Sequence, residues 1–156
     1  MHRRQFLQST SLALALASIG NVNALAKNQP TVEVWKTATC GCCHDWVAHL
    51  QANGFSVVTH DVSQAAKDAQ RARVGIPEQL GSCHTALVDG YALEGHVPAS
   101  DVRRLLQERP QAAGLSVPGM PIGSPGMDGP AYGGRKDAYA TLLVRRDGST
   151  RVFQAH

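Results

Sequence analysis

Thr31-Val32-Glu33-Val34-Trp35-Lys36, followed after Thr37-Ala38 by Thr39-Cys40-Gly41-Cys42-Cys43-His44 and then by Asp45-Trp46-Val47-Ala48-His49-Leu50, is the stretch that decides the architecture. Val32 and Val34 alternate, with the ring of Trp35 among β-formers, which reads as a strand. From Cys43 the apolar residues change period: Trp46, Val47 and Leu50 follow at i+3, i+4 and i+7, so an amphipathic helix runs to about Asn53-Gly54. A second strand, Phe55 to His60, comes next. Strand, helix and strand make a βαβ unit whose cysteines sit at the C-terminal end of the first strand, where sites in α/β folds usually lie.

Working outward, a helix is expected from about Ser63 to Val74, closed by Gly75 and Pro77. Thr85 to Val88 and Tyr91 to Glu94 flank Asp89-Gly90, a strong two-residue hairpin signal. Pro98 to Arg109 reads as a third helix with Val102, Leu105 and Leu106 on its inner face. The order β-α-β-α-β-β-α is that of a thioredoxin-like α/β domain. Beyond Pro110 the chain changes texture. Pro118-Gly119-Met120-Pro121-Ile122-Gly123-Ser124-Pro125-Gly126-Met127-Asp128-Gly129-Pro130 is too rich in glycine and proline for regular structure. It reads as a shaped Gly/Pro/Met-rich loop presenting methionines. Leu142 to Arg145 and Arg151 to Gln154, around Asp147-Gly148-Ser149, form a C-terminal hairpin.

The N-terminus has the pattern of an export signal. Met1-His2-Arg3-Arg4-Gln5-Phe6-Leu7 precedes an apolar stretch from Leu12 to Ile19 and the end Ala24-Leu25-Ala26, and the paired arginines resemble the twin-arginine motif. We therefore expect a signal peptide over residues 1–26, a periplasmic location, and one metal-binding domain over 27–156. Removing 26 of 156 residues leaves about 130, one domain's worth. The formal charge of +3 falls to about +1 when Arg3 and Arg4 leave, and no basic face is concentrated anywhere, so nucleic acid is not an expected partner. No later apolar run approaches the roughly 20 residues that span a bilayer, so no stable membrane insertion is expected after signal removal.

Four cysteines, Cys40, Cys42, Cys43 and Cys83, are too few for a disulfide scaffold of this length. Cys40 and Cys43 form a C-x-x-C at a strand-to-helix junction, where free N–H groups and the helix dipole favour thiolate. Cys42 is out of place in a dithiol enzyme, since a third adjacent thiol scrambles a catalytic disulfide. Three sulfurs in one turn make a soft anionic pocket, and thiolates select copper(I), zinc or iron–sulfur. The tight spacing leaves little room for one tetrahedral zinc and suits bridging copper(I). Cys83 precedes the strand from Thr85, which in a thioredoxin-like domain passes beside the C-x-x-C, so it is expected to supply the fourth sulfur. His44, His84, His96, Met120 and Met127 are candidate peripheral ligands. His49 is expected to be solvated on the outer helix face, His60 to be structural, and Trp35 and Trp46 to be core residues. A metal-free alternative stays open: two disulfides, chiefly Cys40–Cys43 with Cys42–Cys83.

The motifs together resemble a known group. Thr39-Cys40-Gly41-Cys42-Cys43, Ser82-Cys83-His84-Thr85-Ala86, Val88-Asp89-Gly90-Tyr91, Glu94-Gly95-His96-Val97-Pro98 and Val117-Pro118-Gly119-Met120-Pro121-Ile122-Gly123-Ser124-Pro125-Gly126-Met127 are similar to the CopG-type copper-resistance proteins, a group long known as a domain of unknown function with predicted metal binding. The resemblance spans essentially the whole chain after the signal. It implies a periplasmic thioredoxin-like domain holding a multinuclear copper cluster on Cys40, Cys42, Cys43 and Cys83. It does not fix whether the chain is an enzyme. Three functions follow as expectations. The first is copper(I) binding for copper tolerance, with copper redox interconversion as an added activity. The second is thiol–disulfide exchange with Cys40 as nucleophile and Cys43 as resolving thiol. The third is copper delivery to periplasmic copper-handling proteins through the methionine-bearing loop.

Overall fold

The computed structural model describes residues 29–156; the expected signal over 1–26 lies outside the described residues. Seven strands form a single mixed sheet in the order β2-β1-β3-β4-β5-β6-β7. They are β1 (Thr31–Lys36), β2 (Ser56–Asp61), β3 (His84–Val88), β4 (Tyr91–Glu94), β5 (Gly114–Ser116), β6 (Ala140–Val144) and β7 (Thr150–Ala155). Among the described residues three α-helices accompany them: α1 (Gly41–Ala52), α2 (Gln64–Arg73) and α3 (Ala99–Glu108). Among the described residues no helix is long and apolar enough to cross a membrane.

Local chemistry accounts for the boundaries. Ser63 caps α2 by accepting from the Ala66 N–H at 3.2 Å. Asp89 and Gly90, with φ of 52° and 85°, make the two-residue turn that pairs Val88 with Tyr91. The β1–β2 and β4–β5 pairs are parallel, joined by the crossovers through α1 and α3; β3 runs antiparallel to both β1 and β4.

Both faces of the central strands are covered. Val32, Val34, Ala86, Val88, Tyr91, Leu93 and Leu143 face one cluster, with Trp46 and Leu50 of α1 and Val102 and Leu105 of α3. The alternate residues Leu87, Ala92, Leu142 and Val144 face a second cluster, covered by Val74, Ile76 and Leu80 from the segment after α2. For this reason every residue of β4 is buried, where a half-exposed hairpin strand would show alternation.

Three differences from the sequence reading are physical. The short strand β5 has no counterpart among the expected elements, because three residues carry no period. Through it the C-terminal hairpin joins the main sheet. Trp35 lies on the less covered side of β1, half-buried and stacked on His60 at 5.0 Å between ring centroids, rather than in the core. His49 is not simply solvated: its Nε2 accepts the Ala99 N–H at 3.1 Å, at the start of α3. The glycine- and proline-rich stretch has no regular structure before the short 3₁₀ turn Pro130–Tyr132, as expected, yet Ser124 and Met127 within it are buried.

Candidate metal centre

The site grows from the end of β1. Cys40 is extended, with φ −77° and ψ 96°, and stands immediately before α1, so Cys42 and Cys43 fall in the first helical turn. N–H groups there have no intrahelical acceptor, which favours negative charge beside them. Cys43 is fully buried and bonded to Cys40 in a disulfide, whereas Cys42 and Cys83 are free thiols, both partly buried. The Cys42 Sγ lies 3.6 Å from that of Cys40 and 3.8 Å from that of Cys83. All four sulfurs lie within 4.8 Å of one another.

Cys83 belongs to a second group as well, for its sulfur and one nitrogen each of His84 and His96 also lie within 4.8 Å of one another. The His96 Nε2 is 3.0 Å and the His84 Nδ1 3.3 Å from the Cys83 Sγ. His96 donates its Nδ1–H to the Pro125 carbonyl at 2.8 Å, which fixes the tautomer and leaves the Nε2 lone pair facing sulfur. The His84 Nε2 is buried without a hydrogen-bond partner, its ring against Trp46 at 4.2 Å between centroids. Trp46 is held in turn by its Nε1–H donating to the Val97 carbonyl at 2.9 Å.

Burial dominates the electrostatics. It pushes the Cys83 thiol up to about 12, with Cys42 adding to the effect, which keeps Cys83 protonated at neutral pH. It also holds His84 well below the usual histidine value, with His96 contributing, and lowers His96 against the opposing pull of the Pro125 carbonyl. Both imidazoles are therefore neutral donors at pH 7.

The remaining candidates lie elsewhere. His44 is exposed and its Nε2 accepts from the Lys36 Nζ at 2.9 Å. Met127 is buried, its Sδ accepting from the Tyr132 hydroxyl at 3.2 Å, while Met120 is 53% exposed. Charged residues near the site are also buried. Lys36, 2% exposed, pairs with Asp61 at 2.5 Å, and the alternation Val32, Val34, Lys36 places it on the inward face. Glu94 is fully buried; burial raises its carboxyl to about 6, against hydrogen bonds from Thr85 and Ser82.

Gly126 lets the loop close over the centre. With φ of +87°, its position would put a Cβ 2.6 Å from the Cys42 carbonyl oxygen and 2.9 Å from the Trp46 nitrogen. Gly126→Ala is expected to cost about 1–3 kcal/mol. It also displaces the Pro125 carbonyl from His96. Urea denaturation, with the His96 ring signals followed by NMR, measures both effects; unchanged stability and unchanged ring signals would contradict the packing described.

Residues 80–127 match the family described as "Protein of unknown function, DUF411". No curated protein matches the chain. Two solved structures, named "Copper resistance protein copG" in form 2 and form 1, are 45% and 44% identical to it. Each comparison covers 82% of this chain and 98% of the other, with a TM-score of 0.74. Identity of this degree over nearly the full length of the solved proteins goes beyond a shared fold. The chain belongs to the family of the copper resistance protein CopG.

Proposed function

We propose that this chain is a periplasmic copper-binding protein for copper tolerance, carrying copper(I) as a multinuclear cluster on Cys40, Cys42, Cys43 and Cys83. The observation that carries the reading is the meeting of four sulfurs within 4.8 Å, three from the Cys40–Cys43 segment that leads into α1 and one from a loop 40 residues further along the chain. Soft, closely spaced thiolates suit bridging copper(I), and the names of the two similar structures point to the same metal. Loading all four sulfurs first requires reduction of the Cys40–Cys43 disulfide, which takes two electrons and two protons from an external thiol reductant and yields two thiols. Cys83 then exchanges its proton for metal. His96 and His84 supply neutral nitrogen donors next to Cys83, and His44, Met120 and Met127 are outlying candidates for entry or handover to periplasmic copper-handling proteins. Nitrogen donors beside the thiolates also suit copper(II), which is the basis for adding copper redox interconversion. In the same reading the signal over 1–26 is a twin-arginine leader, and 27–156 is a thioredoxin-like domain. The strand order β2-β1-β3-β4, with β3 antiparallel, supports that fold.

Copper(I) titration of the reduced protein over 27–156 and its Cys83→Ser variant tests the function. We expect wild type to bind more than one copper and Cys83→Ser to lose at least about tenfold in affinity, as removal of a ligand outweighs the 10- to 100-fold typical of supporting groups. Wild type binding less than one copper, or a variant binding equally well, overturns the reading.

The disulfide favours one alternative, thiol–disulfide oxidoreduction through Cys40 and Cys43. Its mark is reduction of a protein disulfide with turnover that survives Cys42→Ser. Cys42, 3.6 Å from Cys40, is placed to scramble the exchange. Absence of turnover rejects this alternative.

A further inference from the structure

Cys83 is the cysteine that comes from outside the Cys40–Cys43 segment at the start of α1, and its position is set by the residue before it. Ser82 is gripped on both sides of its backbone by buried charges from two other elements. Lys67 of α2, 1% exposed, donates from Nζ to the Ser82 carbonyl at 2.7 Å. Glu94 of β4, fully buried, accepts the Ser82 N–H on Oε1 at 2.6 Å and the Thr85 hydroxyl on Oε2 at 2.6 Å. Further ties converge on the same turn: the Ser82 hydroxyl donates to the Gly119 carbonyl, and the Gly119 N–H donates to the Gly81 carbonyl at 3.2 Å. Gly95 allows the close approach, since a Cβ there would lie 2.6 Å from that of Ser82 and 2.5 Å from the Val117 carbonyl oxygen.

Burying an ammonium and a carboxylate costs more than filling the same space with apolar side chains. Packing alone therefore gives no reason for either. Lys67 also meets the half-exposed Asp68 carboxylate at 3.1 Å, yet both buried charges converge on the two peptide units that flank Ser82, the second of which leads into Cys83. We infer that Lys67 and Glu94 are positioning residues that hold the Cys83 sulfur in place against Cys42 and His96 before any metal arrives. The inference rests on the reading of Cys83 as a copper-binding sulfur and adds the device that makes the site preformed. Neither residue belongs to the groups of candidate ligands; each acts through Ser82, as outer partners of metal ligands do.

The test uses Lys67→Met and Glu94→Gln in the protein over 27–156. In the reduced, metal-free protein, iodoacetamide alkylation is followed at each cysteine by mass spectrometry. Both variants are expected to raise the rate at Cys83 relative to Cys42 in the same molecule, and by more than Phe153→Leu, a core variant at the far end of the sheet that accounts for a general loss of stability. Copper(I) affinity, read by chelator competition, is expected to fall about tenfold. An unchanged alkylation ratio in folded variants overturns the inference. Should a variant fail to fold, hydrogen exchange at the Ser82 amide of the wild type decides. Protection in the metal-free state supports a preformed clamp, and protection that appears only after copper addition overturns it. Both metal-free readouts stand apart from copper binding, so a wild type that binds no copper rejects the proposed function without touching the clamp.

Discussion

Replacing Gly114 with valine is expected to destabilise the domain by more than about 4 kcal/mol, a loss reached only by severe steric or cavity-forming changes. Gly114 opens β5 and stands opposite Ala92 in the parallel pairing with β4. A Cβ at this position would lie 1.9 Å from the Ala92 carbonyl oxygen and within 2.8 Å of the Ala92 nitrogen. All these are backbone atoms of a strand buried on both faces, so no flexible side chain can give way. Relief requires β5 to leave β4, and β5 is the strand through which β6 and β7 join the sheet. Leu143 and Phe153 then lose their place in the main cluster. Total stabilities of about 5–15 kcal/mol put such a variant near the threshold of folding. Gly129→Ala is the matched control: its φ is −69° and no atom lies within 4 Å of the added Cβ. Urea denaturation of the metal-free protein measures both. A valine variant losing less than about 1 kcal/mol, within the range of ordinary substitutions, refutes the argument.

Acid lability of the metal-free protein is the second large effect. His84, His96 and His49 all have lowered values in the fold, chiefly through burial. A lowered value means that the unfolded chain takes up the proton first, so these residues contribute fully above about 6.5 and their contribution is lost as pH falls. Each histidine that stays neutral in the fold withdraws about 1.4 kcal/mol per pH unit below that point. Glu94 works in the opposite direction. Its raised value, from 4.5 to about 6, favours the fold fully below 4.5 and loses that benefit as pH rises through 6. Acidification therefore recovers at most roughly 2 kcal/mol from Glu94, against a loss that falls chiefly on His84, held well below its ordinary value, with His96 and His49 acting in the same direction. The urea midpoint is expected to drop between pH 7 and pH 5, and His84→Phe, which keeps an aromatic ring against Trp46, is expected to make the drop shallower. An unchanged midpoint across that range, or an equal slope in the variant, contradicts this balance.

What the sequence reveals depends on whether a signal is local. The alternation of β1, the helical spacing from Cys43 to Leu50 and the Asp89-Gly90 turn are written in neighbouring residues, and each element lies within a residue or two of its expected bounds. β5 depends on partners outside itself: Gly-Leu-Ser becomes a strand because β4 and β6 leave a slot between them. The cysteines were legible because sulfur is rare and its spacing unusual, and chain order brought Cys83 into view. Lys67 and Glu94 were not, since charged residues ordinarily face water and nothing in their neighbours marks them as buried. His49 sits beside the apolar stripe of α1, and only the approach of α3 gives its nitrogen a partner.

Cys42 and Cys83 are 41 positions apart, and His96 is tied to Pro125 across another 29. The cysteine-rich hexapeptide from Thr39 to His44 is synthesised early, yet it is only a fragment of the centre. Loop closure on that scale is an entropic cost met by the finished sheet and its two clusters, not by the thiols themselves. The gathering of the four sulfurs and two imidazoles is thus a tertiary property, acquired when the last third of the chain is in place and forfeited with the first cooperative step of unfolding.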